Sequence, residues 1–540
     1  MPASAKKNKT KKASQKPDPP AREKPGDGRE KKLIAAMAGI IFLCAVAFYL
    51  PGLKGGFIYD DKFHILRNPL VNGGDPWRNL FTTPFYQMGG AQSPYYRPWV
   101  NLSYRLDYQF WKENPMGYHL TNIILHSLVS VLVFLCGLAW LKNPRIAGAA
   151  GLLFALHPAH TQSVSWISGR TDLLSSLFAL LAIYFYLRAQ APSGKWNLKL
   201  IGLSLLSFFL ALFCKEVAVT VLILIALLDF GRLKKIRPLF QPRPVAIYAG
   251  GSGMILIYFL IRLRVLGFLT GYQDSGVREW YYQNLLDPSR AATVFKVYGY
   301  YLKTLIFPIQ LCFESKMLVS GSWLDPDLIA SVIAVLSLLA AGMVALKFWP
   351  ELAIGGFWFF ITLLPVSNIF TVRELAMEHL LYLPSIGLIL ALALVFHQVL
   401  EGSAGREKFL AHAVLLLVLL SYGVLTVSRQ AVWKNEISFW QDAAWKAPLK
   451  RRPWYNLGVR LKDQGDAISA IRCWTLAEKA EPGDPAVHNN LGAAYFEMGD
   501  LDSAIAEFQE CLRLNPNHSR ARINLENVLR MKSQTKSPSP

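Results

Sequence analysis

Charged residues are scarce in this chain of 540 residues: Asp, Glu, Lys and Arg make up 17%, while 53% of the residues are hydrophobic. Soluble domains carry about 25% charged residues, so the shortage excludes an ordinary soluble globule and points to lipid. Cysteine is also sparse. Cys44, Cys136, Cys214, Cys312, Cys473 and Cys511 stand singly, with no CxxC pair, which excludes a disulfide framework or a zinc ribbon. There is no HExxH, which argues against zinc hydrolysis, and no Gly-rich nucleotide loop, GxSxG or kinase signature, so a soluble nucleotide substrate is not indicated.

What the chain has in abundance is apolar blocks close to the roughly 17–25 residues that cross a bilayer. The first, 33–50, lies too far from the N-terminus and lacks the small-residue cleavage site of a removed leader, so it reads as a retained span. Further spans are expected near 119–140, 147–163, 171–188, 199–214, 216–230, 245–262, 328–346, 352–369, 379–399 and 410–427, about eleven in all. The segment 293–312 carries Lys296, Lys303 and several tyrosines, an amphipathic pattern that suits an interface better than a crossing. The net charge of +21 gathers at span ends rather than in a nucleic-acid-binding patch. Residues 1–32 form a basic tail expected to be disordered. A cytoplasmic N-terminus then puts the linkers bearing Lys142/Arg145, Arg188/Lys195/Lys199, Arg232/Lys234/Lys235/Arg237/Arg243 and Arg406/Lys408 inside. An odd number of crossings places the long first loop, 51–118, and everything after the last span on the other, non-cytoplasmic side.

After the span domain, 33–430, the sequence repeats itself with a period of about 34 residues, the tetratricopeptide length. Asn456-Leu457-Gly458 returns as Asn490-Leu491-Gly492 and partly as Asn524-Leu525, Gly465-Asp466 as Gly499-Asp500, Ala470-Ile471 as Ala504-Ile505, and Pro482 as Pro516. Two full repeats and a terminal helix are expected in 431–530, followed by a disordered tail, 531–540. The array offers either a groove for a protein or peptide, with Asn456, Asn490 and Asn524 as contacts, or a folded cap. Such a short array is expected to lean on 433–448 or on the span domain. The fold class is therefore all-α, a polytopic bundle followed by a short solenoid.

Polar residues capable of chemistry collect at one set of span ends. Asp60 and Asp61 follow the first span; as neighbouring carboxylates they can raise one pKa for base work or hold a divalent cation, and as loop acids they can simply be solvated. Arg97, His157, His160, Arg170, Lys215, Glu216, Arg262, Arg264, Arg373, Glu378 and His379 fall on the same side in the expected topology. His157 and His160 could share a metal, but Pro158 breaks the helix between them, and capping is the plainer role. The arginines could grip phosphate oxygens or snorkel to headgroups.

Taken in order, Phe57-Ile58-Tyr59-Asp60-Asp61-Lys62, Tyr96-Arg97-Pro98, Gly117-Tyr118-His119-Leu120-Thr121-Asn122, His157-Pro158-Ala159-His160-Thr161, Gly169-Arg170-Thr171-Asp172, Lys215-Glu216, Arg262-Leu263-Arg264, Ser367-Asn368 and Leu381-Tyr382-Leu383-Pro384-Ser385 resemble a known family. It is that of the transmembrane and tetratricopeptide-repeat-containing protein O-mannosyltransferases and their bacterial relatives. The resemblance covers essentially everything after the basic tail. It implies a type C glycosyltransferase fold, an inverting transfer of mannose or another hexose from a polyprenyl-phosphate-linked donor to an acceptor such as a protein hydroxyl, and a bacterial inner membrane, or the endoplasmic reticulum in a eukaryote. It makes Asp60-Asp61 the catalytic pair. With the topology above, Arg262, Arg264, Arg373 and His379 are then expected on the phosphate side, with Arg97, His157, His160, Arg170, Lys215, Glu216 and Glu378 lining the site. Two positions depart from the family pattern: Gln162 stands where Glu is frequent, and His379 where Arg is frequent. Gln cannot act as an acid and His does not guarantee a positive charge. Two rival readings are a non-enzymatic scaffold built around the repeats and a transporter. The transporter would show repeated halves and midplane charges, and neither is evident.

Overall fold

The computed structural model describes residues 27–88, 91–190, 196–233, 242–268, 288–315, 323–369 and 375–536. The bundle is made of α1 (Asp27–Tyr49), α3 (Pro115–Leu141), α4 (Pro144–Leu156), α5 (Arg170–Ala189), α6 (Leu198–Leu212), α7 (Thr220–Leu233), α8 (Pro242–Leu266), α10 (Pro326–Phe348), α11 (Pro350–Leu363), α12 (Tyr382–Gly402) and α13 (Gly405–Gln430). Short polar punctuation sets their boundaries. Asn114 caps α3 by accepting from the Met116 amide, and Asn143 caps α4 by accepting from Arg145 and Ile146, each with Pro in the first turn. Lys142, at φ 57°, reverses the chain between these two helices.

Among the described residues seven helices are long and apolar enough to cross a membrane, and Pro144–Leu156, Leu198–Leu212 and Pro350–Val366 are shorter apolar helices. Leu43, Leu256, Leu260, Val344, Leu417 and Val424 are exposed on helix faces. Water would penalise such an exterior and hydrocarbon would not. The inner faces meet in a core that includes Phe154, Tyr186, Trp358 and Tyr382.

The first loop contributes α2 (Pro98–Trp111) and a two-residue hairpin pairing Gln87–Met88 with Ala91–Gln92, a small exception to the all-helical expectation. The segment 293–312 forms most of α9 (Pro288–Ile306). Arg290 of α9 donates to the carbonyls of Asn368 and Ile369 beyond α11, while the carbonyl of Leu305 accepts from His157 Nε2 beyond α4 at 3.0 Å. Both ends of α9 therefore touch the same end of the bundle, so it lies across span ends instead of traversing.

Several expected boundaries move, among them the end of the 352–369 span, whose α-helix stops at Leu363. Residues 27–32, read as the end of a disordered tail, are helical because they continue the first apolar helix; residues 1–26 lie outside the description. The third span ends at Leu156, since Pro158 starts a new turn. Residues 531–536 belong to the last helix, not to a tail.

The repeats comprise α15 (Arg451–Asp463), α16 (Ala467–Ala480), α17 (Pro485–Glu497), α18 (Leu501–Leu514) and α19 (Ser519–Lys536), preceded by α14 (Glu436–Lys446). Asp466 and Asp500 cap α16 and α18 by accepting from the Ser469 and Ser503 amides. A Cβ at Gly458 would meet the Trp474 ring at 2.6 Å, and one at Gly492 the Phe508 ring at 2.8 Å, which is why both repeats keep glycine there. The array does lean on its neighbours. Ile58, Trp166 and Phe313 of the bundle share one buried cluster with Trp433, Phe439, Trp440 and Leu457.

Candidate active site at the first-loop end of the bundle

The acidic pair sits on a turn that two elements hold from opposite sides. Asp61 is 1% exposed. Its Oδ2 accepts from the Ile58 amide at 2.9 Å, and its Oδ1 accepts from the amide and the hydroxyl of Ser168 at 2.8 and 2.6 Å. Because the Ser168 proton points to Asp61, the 2.9 Å contact between His64 Nδ1 and Ser168 Oγ is one in which the imidazole donates. Burial pushes the Asp61 carboxyl up to about 7, against the hydrogen bonds from Ser168 and Ile58 that favour its anion. Burial, then the nearby Arg97 guanidinium, push His64 down to about 3, so it is neutral. Asp60 differs: it is half-buried, and its backbone carbonyl accepts from the amides of Phe63 and His64.

Beside this turn lies a cationic cluster. Glu216, in the turn between α6 and α7, binds Arg97 Nη2 through Oε2 at 2.9 Å and Arg262 Nη1 through Oε1 at 2.7 Å. Burial alone would raise the Glu216 carboxyl, but Arg97 and Arg262 outweigh it and hold it at about 2. Lys215 meets Asp172 at 2.6 Å. Three cations against two carboxylates leave one net positive charge. Arg262 Nη2 also donates to the Pro94 carbonyl at 3.0 Å, and the Arg97 guanidinium lies 4.2 Å from the Tyr95 ring centre. Arg264, two residues along the helix, is exposed outside the cluster. Arg373 lies outside the described residues.

Several expected site residues are consumed by structure. Arg170 is fully buried, bonded to Asn122 Oδ1, the Tyr118 carbonyl and the Asp107 carboxylate, which leaves it no room for a substrate anion. The glycine before it is obligatory, since a Cβ at Gly169 would lie 2.4 Å from the Ser163 carbonyl. His157 Nδ1 accepts from the Ala159 amide, and His160 bonds the Phe154 carbonyl and Ser385. Both histidines hold helix ends, and among the described residues no group of three or more His, Cys, Asp or Glu could hold a metal ion. Glu378 is buried 3.8 Å from Arg429, which in turn meets Asp442 of α14 at 2.5 Å. Gln162 accepts from the His379 amide at 3.0 Å, and the His379 ring lies against Trp166 at 5.6 Å. At 162 the amide thus serves as a backbone clamp.

The repeat asparagines are engaged in helix packing. Asn456 donates to the Arg452 carbonyl, Asn490 to the Tyr455 hydroxyl, and Asn524 to Asn489 Oδ1. The last two stitch successive repeats together. Sequence reading gave no role to Ser168, nor to Tyr59, Phe313 and Trp440, which meet beside the acidic turn. No local pattern distinguishes them; only their convergence from distant parts of the chain does.

Residues 485–518 match the family model of the tetratricopeptide repeat. Over 489 residues the chain is 27% identical to protein O-mannosyl-transferase F38B6.6 of Caenorhabditis elegans, covering 85% of this chain and 65% of that one. It is 30% identical over 502 residues to protein O-mannosyl-transferase TMTC1 of Homo sapiens, covering 85% of this chain and 56% of that one. These are the proteins that the ordered motifs resemble, and the chain spans about three-fifths of the length of each. Among solved structures, ArnT from Cupriavidus metallidurans, bound to undecaprenyl phosphate, overlays 89% of this chain and 80% of its own at 12% identity, with a TM-score of 0.38.

Proposed function

We propose, from this similarity to the protein O-mannosyl-transferases, that the chain is a membrane glycosyltransferase that moves a hexose from a polyprenyl-phosphate carrier to a hydroxyl acceptor on the non-cytoplasmic face. One observation carries the reading. A partly accessible carboxylate, Asp60, and a cationic cluster, Arg97–Glu216–Arg262, occur at the same end of the bundle, where His64, bonded through Ser168 to Asp61, lies within the field of Arg97.

The chemistry requires a base for the acceptor proton and a counter-charge for the leaving phosphate. Asp60 takes the proton as the acceptor oxygen attacks the anomeric carbon. The sugar–phosphate bond breaks from the opposite side, and the carrier leaves as polyprenyl phosphate, giving inversion. Arg97 and Arg262, held in fixed orientation by Glu216, meet the phosphate charge that develops. Asp61, with both oxygens occupied, is a positioning residue that fixes the turn carrying Asp60. The amphipathic groove of about 580 Å³ between α9 and α10, with Lys303 and Phe307 in its wall, suits the carrier's isoprenoid chain as it approaches from the bilayer. The test is to incubate purified protein with polyprenyl-phosphate mannose and a hydroxyl-bearing peptide and to look for the glycosylated peptide. No product with this or any other polyprenyl-phosphate hexose would favour the scaffold role.

A further inference from the structure

The end of the bundle away from the acidic turn holds a cavity of about 410 Å³ between α1, α4, α12 and α13. Its inner wall is apolar, formed by Ile41, Leu152, Phe396 and Leu415. Its mouth is not. Arg145 lies in the first turn of α4 and Lys408 in the first turn of α13, each beside the short turn that joins its helix to the preceding one. Both are exposed, and neither side chain has an ion-pair or hydrogen-bond partner among the described residues. The carboxylate at the rim, Glu401, lies 3.4 Å from His397 Nε2, and His412 Nδ1 bonds its own helix at the Lys408 carbonyl. The two unpaired cations thus outnumber the single, His-facing carboxylate.

We infer that this cavity binds an anionic glycerophospholipid of the adjoining leaflet, its phosphate between Arg145 and Lys408 and an acyl chain along Ile41, Leu152 and Phe396. The depths match, since the cations stand at the level of the inter-helix turns while the apolar wall runs inward from them. Cations at span ends usually snorkel into the general headgroup layer. That reading explains the charges but not the apolar recess between them. Basic pockets between spans are sites where anionic headgroups settle. The site is separate from the proposed donor site, whose Arg97, Glu216 and Arg262 lie at the other end of the bundle on different elements.

The test uses the full chain in nanodiscs and reads retained lipid by native mass spectrometry after mild detergent extraction. Phosphatidylglycerol is the probe and phosphatidylcholine the control. Phosphatidylglycerol should be retained in preference, and Arg145→Ala with Lys408→Ala should lower that retention about tenfold or more, from roughly 1 kcal/mol per cation. Ala149→Phe, which fills the recess without changing charge, should lower it as well, with an unchanged elution volume and circular dichroism spectrum showing that each variant is folded. Retention that falls in the charge variant but not in Ala149→Phe would reduce the site to general headgroup attraction. Equal retention of the two lipids overturns the proposal, as does displacement of phosphatidylglycerol by inorganic phosphate alone.

Discussion

Tyr59, the residue before the acidic pair, rests edge-on against Trp440 of α14, with ring centres 5.4 Å apart and planes at 85°. Tyr59 has φ 54°, a left-handed conformation that costs a bulky residue about 1–3 kcal/mol unless its surroundings impose it. Trp166, Phe313 and Phe439 complete the cage, and Lys62 beyond the pair meets Glu436 at 3.0 Å. The segment leading into the repeats therefore helps to shape the turn that carries Asp60.

From this packing, Trp440→Ala should lower transfer to a small soluble hydroxyl acceptor by about tenfold or more, with donor binding nearly unchanged, because the turn relaxes while the cationic cluster stays. Trp440→Phe should retain most activity. If Trp440→Ala folds and transfers normally, the cage does not position the site.

Arg262→Ala should weaken binding of the lipid-linked donor about tenfold, the scale of one lost charge-assisted hydrogen bond. Arg264→Ala should not, because Arg264 is exposed outside the cluster. Equilibrium binding of a polyprenyl-phosphate sugar measures both, and equal losses would mean that bulk charge, not the Glu216-oriented fork, holds the donor.

Much of this was legible in the sequence, and the exceptions share a cause. The apolar helices, the repeat period and the polar end of the bundle follow from apolar runs and recurring glycines, which are local signals. Of the eleven expected spans, seven correspond to helices long and apolar enough to cross among the described residues. The roles of Asp60 and Asp61 were not separable, since their difference comes from Ser168, more than a hundred residues away, which binds and helps bury the Asp61 carboxylate while Asp60 stays partly exposed. Arg170 and Arg262 look equally available as letters. Asn122 and Asp107 consume the first, and only the fold reveals that.

Asp61→Asn should destabilise the protein, because one amide oxygen cannot accept from three donors and the amide nitrogen would face one of them. Its pH signature is specific. In the folded protein the carboxyl titrates near 7, above its ordinary value of 3.8, so the native state keeps a proton that the unfolded chain releases. This group therefore adds stability below about pH 4, and that contribution is lost as pH rises through about 7. Melting in detergent should rise on acidification across this window in the parent and lose this component in Asp61→Asn. An identical pH profile in the two proteins would contradict the buried titration.

The shared cluster of Ile58, Trp166, Phe313, Trp433 and Trp440 requires the first loop and the repeats to lie on one side of the membrane. In sealed vesicles a protease should cut both or neither. Cleavage within 460–524 with an intact first loop would break that requirement.

The most direct measurement is sugar transfer by Asp60→Asn in a purified system. Asn keeps the size of the side chain but cannot take the acceptor proton, so turnover should fall by about 10² to 10⁴-fold. Donor binding and melting temperature should stay near those of the parent. Undiminished transfer by folded Asp60→Asn would contradict the assignment of Asp60 as base and remove the residue on which the glycosyltransferase reading rests.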